Sequence, residues 1–391
     1  MNHYQLKNLT LACLMAVTSV FSSCEEDKIT NEPANATTGT VSKYQALKSA
    51  SSYSIPVGTI TDHSDATAVG SIAWYLATYG GGTAASPNTF YLSSNAVYTC
   101  QRTITLPAYA RISEGAGITT AVIQCDPINW QSAAGYNKLV RMYAGSILLH
   151  VELRLNWKAA IGVFASWSNG VQIIDVTVSN SAKTSTETSY LIYVSNSDSV
   201  LIDNCLLRRA GCENTETGFS RRSYLVHIIG GTGINVTNND MSTSASSGIA
   251  FVQTTHLNIE NNIIQDTGRS NVPDYVADGI TSYHGGQGTL NRVVFIKNNT
   301  IKWSKNHGIH VSGYGISITG NNISGSEESN IYLGDQRTPP DCSADIWVTG
   351  NTLGAQTNAA YSIYRNHVIS SRIYISNNTG STSVQPAIAC L

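Results

Sequence analysis

Charge is scarce in this sequence: only 12% of its 391 residues are Asp, Glu, Lys or Arg, and 23 basic against 25 acidic residues leave a formal charge of −2. So neutral a balance excludes the broad basic surface of a general nucleic-acid or membrane-surface binder, and any recognition by charge has to be local. Proline is also rare, at 9 residues, while 42% of the chain is hydrophobic, which excludes an intrinsically disordered protein. There is no CxxC pair and no clustered Cys/His spacing of a structural zinc site. Helical periodicity is missing from about residue 90 onward, where strict alternation takes over.

The N-terminus stands apart. Lys7, an apolar stretch from Leu9 to Phe21 and small residues before Cys24 have the layout of a secretory signal, and the stretch is too short to span a membrane. Cys24 directly after Ser22-Ser23 resembles a bacterial lipoprotein cleavage site, and Glu25, Glu26 and Asp27 resemble the acidic tract of surface-exposed Bacteroidetes lipoproteins. The expectation is a signal peptide over 1–23 and a lipid on Cys24, placing an exported, monomeric protein at the outer membrane with no other membrane contact. A Ser/Thr/Asn/Ala-rich tether follows over 25–55, and one folded domain over 56–391. Six cysteines remain in tether and domain. An even number in an exported protein permits disulfides, and Cys100 with Cys125, Cys205 with Cys212, and Cys342 with Cys390 are the pairs open to it.

The domain opens on one helical segment. "SDATAVGSIAWYLATYGGG" offers Ser64 or Asp65 as N-cap, apolar residues Val69, Ile72, Ala73 and Leu76 at helical spacing, and a glycine stop from Gly80. Such a helix can close the end of a longer structure. Beyond it, runs such as "LNIENNII", "VFIKNNTI" and "ISITGNNI" align so that one column holds Val176, Cys205, Asn239, Asn262, Asn299, Asn321, Asn351 and Asn378. Successive members lie 22 to 37 residues apart, and a second alternating run such as "GIHVS" falls between each pair. Short strands in an irregular repeat of that length describe the coils of a parallel β-solenoid, an all-β architecture. Stacked coils place Asn above Asn at about 4.8 Å, close enough for a ladder of amide bonds, and Asn tolerates the left-handed turn of a corner.

The helix, the segments "GGGTAASPNTFYLSS" and "ITLPAYARISEGAGITTAVI", and the Asn-bearing coils resemble the single-stranded right-handed parallel β-helix superfamily of pectate lyases and polygalacturonases, with its N-terminal capping α-helix. The resemblance covers about residues 60–380 and implies a polysaccharide substrate. The Asn-Thr-Asp, Asp-Asp, Gly-His-Gly and Arg-Ile-Lys set of polygalacturonases is not found, so their mechanism does not carry over. Some relatives hold a uronate carboxylate with calcium, and Asp266, Asp274 and Asp278 could supply its oxygens.

In the second run of each coil Ile192, Val226, Ile249, Ile280, Ile309, Ile331 and Ile363 point inward. The outward column is then Tyr193, His227, Ala250, Thr281, His310, Tyr332 and Tyr364. Aromatic and hydrogen-bonding side chains beside small ones suit a groove for sugar rings, although Tyr and His also stack well in plain strands. The adjoining long loops carry Arg208, Arg209, Arg221 and Arg222, then Asp266, Arg269, Asp274, Tyr275, Asp278, Tyr283 and His284. Four arginines in a chain this poor in charge point to an anionic ligand.

The first expectation is a lyase that cleaves a uronate-containing glycan by β-elimination, or a related epimerase. The arginines would neutralise the carboxylate, His310 or His227 would act as base, and Tyr283 or Tyr332 as acid. Replacing His310 by Ala would then abolish turnover and leave the thermal transition nearly unchanged. The second is a glycosidase or glycosyl-transferring enzyme using Asp278 with Asp266 or Asp274; Asp278 precedes a strand glycine just as His307 does one coil later. The third is a glycan-binding surface protein without catalysis.

Overall fold

The computed structural model describes residues 51–57, 64–115, 120–131, 137–183, 188–212, 222–269, 277–282, 291–334 and 343–389, which fall in a unit from Ala46 to Leu391. The expected signal, Cys24 and most of the tether lie outside them. The described residues form three stacked sheets of 13, 11 and 11 strands, parallel throughout except where Gly82–Thr83 folds back on Ser86–Leu92. The chain visits the sheets in rotation, three strands to a coil: Tyr314–Thr319, Asn322–Ser324 and Ile331–Leu333 make one circuit. Inward positions of successive coils stack in register, so Ile249, Ile280, Ile309, Ile331 and Ile363 form one fully buried column. Such rows run along one continuous apolar core.

The corner between first and second sheets holds the expected ladder. From Asn239 through Asn262, Asn299, Asn321 and Asn351 to Asn378, each amide Nδ2 donates to the Oδ1 of the next at 2.9–3.0 Å. The same Oδ1 atoms accept the backbone N–H of the preceding Asn. Each Nδ2 also reaches a main-chain carbonyl, as Asn299 does with Ile259. The left-handed turn falls one position earlier than expected: Asn204, Asn238, Asn261, Asn298 and Asn377 have φ between 53 and 57°, and Gly320 and Gly350 take that place in their coils. The Asn-Asn pair therefore divides its labour, the first residue bending the chain and the second bonding along the axis.

The helix is shorter than its sequence pattern. It spans Ile72–Tyr79, capped by Ser71, whose Oγ accepts from the Trp74 N–H at 2.9 Å, and ends at Gly80. Neither Ser64 nor Asp65 is the cap: Gly70, at φ 91°, breaks the pattern, and Asp65 closes a turn onto the Thr67 N–H. Val69 is accordingly 71% exposed, while Ile72 and Leu76 enter the core. The helix packs on the early strands Ser52–Ile55, Ser86–Leu92 and Ile104–Leu106. Ser52–Ile55, within the stretch expected to be tether, pairs with Ser86–Leu92 and buries Ile55.

Two of the three possible disulfides are not formed. Cys100 and Cys125 are buried thiols in register on adjacent strands, where neighbouring side chains project in the same direction instead of converging. Cys205 and Cys212 are also buried thiols; Cys205 takes the ladder position before Asn239, and burial pushes its thiol up to about 12. Cys342 and Cys390 lie outside the described residues.

Asn299→Ala removes acceptors from two donors of Asn262 and leaves them buried, so it should cost about 2–4 kcal/mol. Asn378→Ala, at the half-buried end of the ladder, should cost less; denaturant unfolding of the two variants checks the difference.

Candidate active site

The outward column of the third sheet runs in register from Tyr193 through His227, Ala250, Thr281, His310 and Tyr332 to Tyr364. It is not the open groove expected of it. Ala250 and Thr281 are fully buried, and His227 and His310 are each 8% exposed. The two histidines stand three rungs apart, about 14 Å at the inter-strand spacing, so they cannot serve one reacting centre. The column divides into two clusters.

His227 lies in an aromatic stack. The rings of Tyr190 and Tyr224 are nearly parallel to it at 5.1 and 4.9 Å, and Tyr193 meets it edge-on at 5.5 Å and stacks on Phe164. Burial, with Arg222 adding repulsion, pulls its pKa down to about 3.

The second cluster combines Asp278, His307 and His310, one ligand atom of each within 4.8 Å of the others. Asp278 and His307 precede the glycines that open their strands, and His310 lies on the strand itself. Gly279 and Gly308 are required there, because a Cβ on either would fall 2.6–2.7 Å from a main-chain carbonyl of the next coil. The position before the glycine forms its own ladder: the Asp278 N–H donates to Ser247 Oγ at 3.2 Å, and the His307 N–H to Asp278 Oδ1 at 3.0 Å. The Ser329 N–H reaches His307 Nδ1 at 3.4 Å, and Ser329 Oγ lies 2.8 Å from the same nitrogen. The other carboxylate oxygen, Asp278 Oδ2, faces His310 Nδ1 at 3.4 Å, while His310 Nε2 lies 3.2 Å from the Gly334 carbonyl oxygen.

On the solvent side, Glu328 Oε2 is 3.3 Å from His307 Nε2, with the Glu328 side chain 54% exposed. Burial, then the nearby Asp278 charge, raises the Glu328 pKa. Burial lowers that of His307 to about 4 against the pull of Asp278, so the ring is neutral near pH 7. The Tyr332 ring packs against both histidines at 4.7 Å and stacks on Tyr364 at 5.1 Å; its Oη accepts from Asn366 Nδ2 at 2.8 Å.

The charged loop residues that are described take separate partners. Arg208 is tied to Asp240 at 2.5 Å, and Arg209 reaches Asn180 at 3.4 Å. Arg222 is exposed at the start of the His227 strand. Arg269 pairs with Asp266 at 2.8 Å. Arg221, Asp274, Tyr275, Tyr283 and His284 lie outside the described residues. Asp266 and Arg269 instead line a groove of about 460 Å³ with Trp303, Lys305, Glu327 and Thr357. Trp303 is 57% exposed, and Lys305 and Glu327 stand one or two residues from His307 and Glu328.

His307 and Glu328 are the members that sequence reasoning left unassigned. Aligning the residue before each strand glycine would have exposed the Ser247, Asp278 and His307 column, which Ser329 continues where Asn330 replaces the glycine; nothing in the sequence marks Glu328. The expectation that His310→Ala leaves stability unchanged is also revised, since truncating the ring strands a fully buried carboxylate.

A family model described as a right handed beta helix region matches residues 160–313, a span that includes Asp278, His307 and His310. None of the curated proteins matches the chain. Among solved structures, polygalacturonase from Erwinia carotovora ssp. carotovora is similar with a TM-score of 0.55 and 11% identity, over 90% of this chain and 100% of that one. The A-module of a mannuronan C-5 epimerase from Azotobacter vinelandii is similar with a TM-score of 0.51 and 14% identity, over 85% and 97%. ORF18 of Geobacillus virus E2 gives 0.56 and 12%, with 85% of this chain spanning 61% of the viral one. At such identities the likeness is one of fold: the chain is a right-handed parallel β-helix.

His227 and His307 are held neutral in the fold, whereas the unfolded chain takes up protons near 6.5. Stability should therefore be full above about pH 6.5 and fall as the pH drops toward 4, by at most about 1.4 kcal/mol per pH unit for each ring. Thermal unfolding across that range checks the slope, and His227→Phe, which keeps the stacked ring, should flatten it.

Proposed function

We propose that this protein is a carbohydrate-active enzyme that acts on a uronate-containing glycan by moving the proton beside the carboxylate, with elimination or epimerisation as the outcome. The observation that carries this reading is the convergence of one buried carboxylate and two imidazoles, with a phenol ring packed against both histidines. The fold neighbours add support, since the polygalacturonase and the mannuronan epimerase are both named for uronate polymers.

Proton abstraction needs a base that is unprotonated at working pH, and His307 meets that requirement. Glu328, facing its Nε2 and reaching solvent, would exchange the proton with bulk water. Tyr332 would supply the proton to a leaving oxygen or to the opposite face of the sugar. Trp303 offers a flat surface for a neighbouring sugar ring, with Arg269 and Lys305 beside it for a carboxylate.

One observation favours a second reading. Glu328, its carboxyl raised partly by Asp278, could act as the acid of a two-carboxylate hydrolase with Asp278 as its partner. Export with a lipid on Cys24 would bring either activity to polymers outside the cell. Labelled fatty acid should enter the wild type and not Cys24→Ala.

Incubation with a panel of acidic glycans separates the readings. Elimination gives an unsaturated product absorbing in the ultraviolet, epimerisation in deuterated water gives label at C5, and hydrolysis gives reducing ends alone. Tyr332→Phe should lower the first or second signal about a hundredfold with a loss of about 1 kcal/mol in stability. Retention on a glycan column with no product would discard the enzymatic readings in favour of binding.

A further inference from the structure

The geometry points to a divalent transition-metal site formed by Asp278, His307 and His310. The inference concerns the same cluster but does not depend on which glycan, if any, is turned over; with the ion bound, His307 is a ligand and no longer the base, and Glu328 on its solvent side is the group left to take the proton.

Asp278 Oδ2 and His310 Nδ1 are both buried and have no hydrogen-bond partner, yet they face each other at 3.4 Å. A charge-assisted hydrogen bond between imidazolium and carboxylate would draw them to about 2.7–2.9 Å. Two ligands bound at about 2.0–2.1 Å to a tetrahedral zinc ion, in contrast, lie about 3.3–3.4 Å apart. The observed separation is the edge of that tetrahedron.

The surrounding bonds orient the ligands. His310 Nε2 has an acceptor in the Gly334 carbonyl, which places its proton there and turns the Nδ1 lone pair toward Asp278. For His307, whichever nitrogen faces the metal, the other has a partner in place: Ser329 Oγ for Nδ1 and Glu328 Oε2 for Nε2. The remaining oxygen, Asp278 Oδ1, is fixed by the His307 N–H. Two imidazoles and one carboxylate suit zinc, or cobalt in its stead, and not calcium, which takes oxygen ligands. Three protein ligands leave a fourth position, and Glu328 stands half-exposed on the side from which an ion or a substrate oxygen would enter.

The test uses the full chain, stripped with a chelator and dialysed. Zinc titrated by calorimetry should bind one equivalent with a rise in Tm, and cobalt should give the intense visible absorption of tetrahedral nitrogen and oxygen coordination. His310→Gln and Asp278→Asn should each weaken zinc binding at least a hundredfold, while Asp266→Asn should leave it unchanged. Should Asp278→Asn fail to fold, His310→Gln and the cobalt spectrum of the unaltered chain carry the test. Absence of zinc binding at millimolar concentration, binding indifferent to His310→Gln, or an octahedral cobalt spectrum would overturn the inference. Glycan turnover by a chain that binds no metal would overturn it and leave the proposed function standing; metal binding without turnover would do the reverse.

Discussion

Almost every described coil must hand its main-chain hydrogen bonds to the coils before and after it, because, apart from the fold-back of Gly82–Thr83 on Ser86–Leu92, the described strands pair only between coils. That constraint fixes the register, and the corner where it is hardest to meet is the turn between first and second sheets. There the chain bends through a left-handed residue and the strand pairing is interrupted. The amide of Asn239, Asn262, Asn299, Asn321, Asn351 or Asn378 fills the interruption, accepting from one coil and donating to another. Since each amide is both donor and acceptor along the axis, the ladder tolerates coils of unequal length between its members. Insertions are free to grow elsewhere in the repeat.

The candidate site is built on the same device. The position before each strand glycine repeats a side chain that accepts the N–H of the next coil. Ser247 does so with its hydroxyl, Asp278 with one oxygen, and His307 with one nitrogen. An aspartate and a histidine in this ladder each have a second polar atom left over, and His310 lies against the carboxylate from the adjoining strand. The polar groups of the candidate site are thereby fixed by a hydrogen-bond pattern that the scaffold needs in any case, which keeps a buried polar cluster rigid.

Ladder, core columns and outward column were all legible in the sequence because solenoid geometry is local. A period of two sets the inward face, and in-register stacking turns a sequence alignment into a spatial contact. The same rule bounds two readings. Applied to Cys100 and Cys125, a pair left open by cysteine count alone, it shows that adjacency in a parallel stack aligns side chains and does not join them. It placed the aromatic column outward correctly, yet outward is not exposed, as Ala250 and Thr281 show. The helix cap was missed for another reason: Ser64, Asp65 and Ser71 are all competent caps, and the conformation of Gly70 decides between them.

The sequence by itself determined the architecture, because the repeat of apolar residues and Asn admits one way of stacking coils. Only the tertiary structure decided the site. Which loop arginine finds a carboxylate, which histidine is closed into an aromatic stack, and which lies against a buried aspartate depend on side chains 20 to 40 residues apart in the chain meeting across coils. The tie of Arg208 to Asp240, the stacking of Tyr190 on His227, and the approach of Glu328 to His307 are contacts of that kind. Coils of unequal length give no period from which such contacts follow. They are settled by packing and charge at each rung.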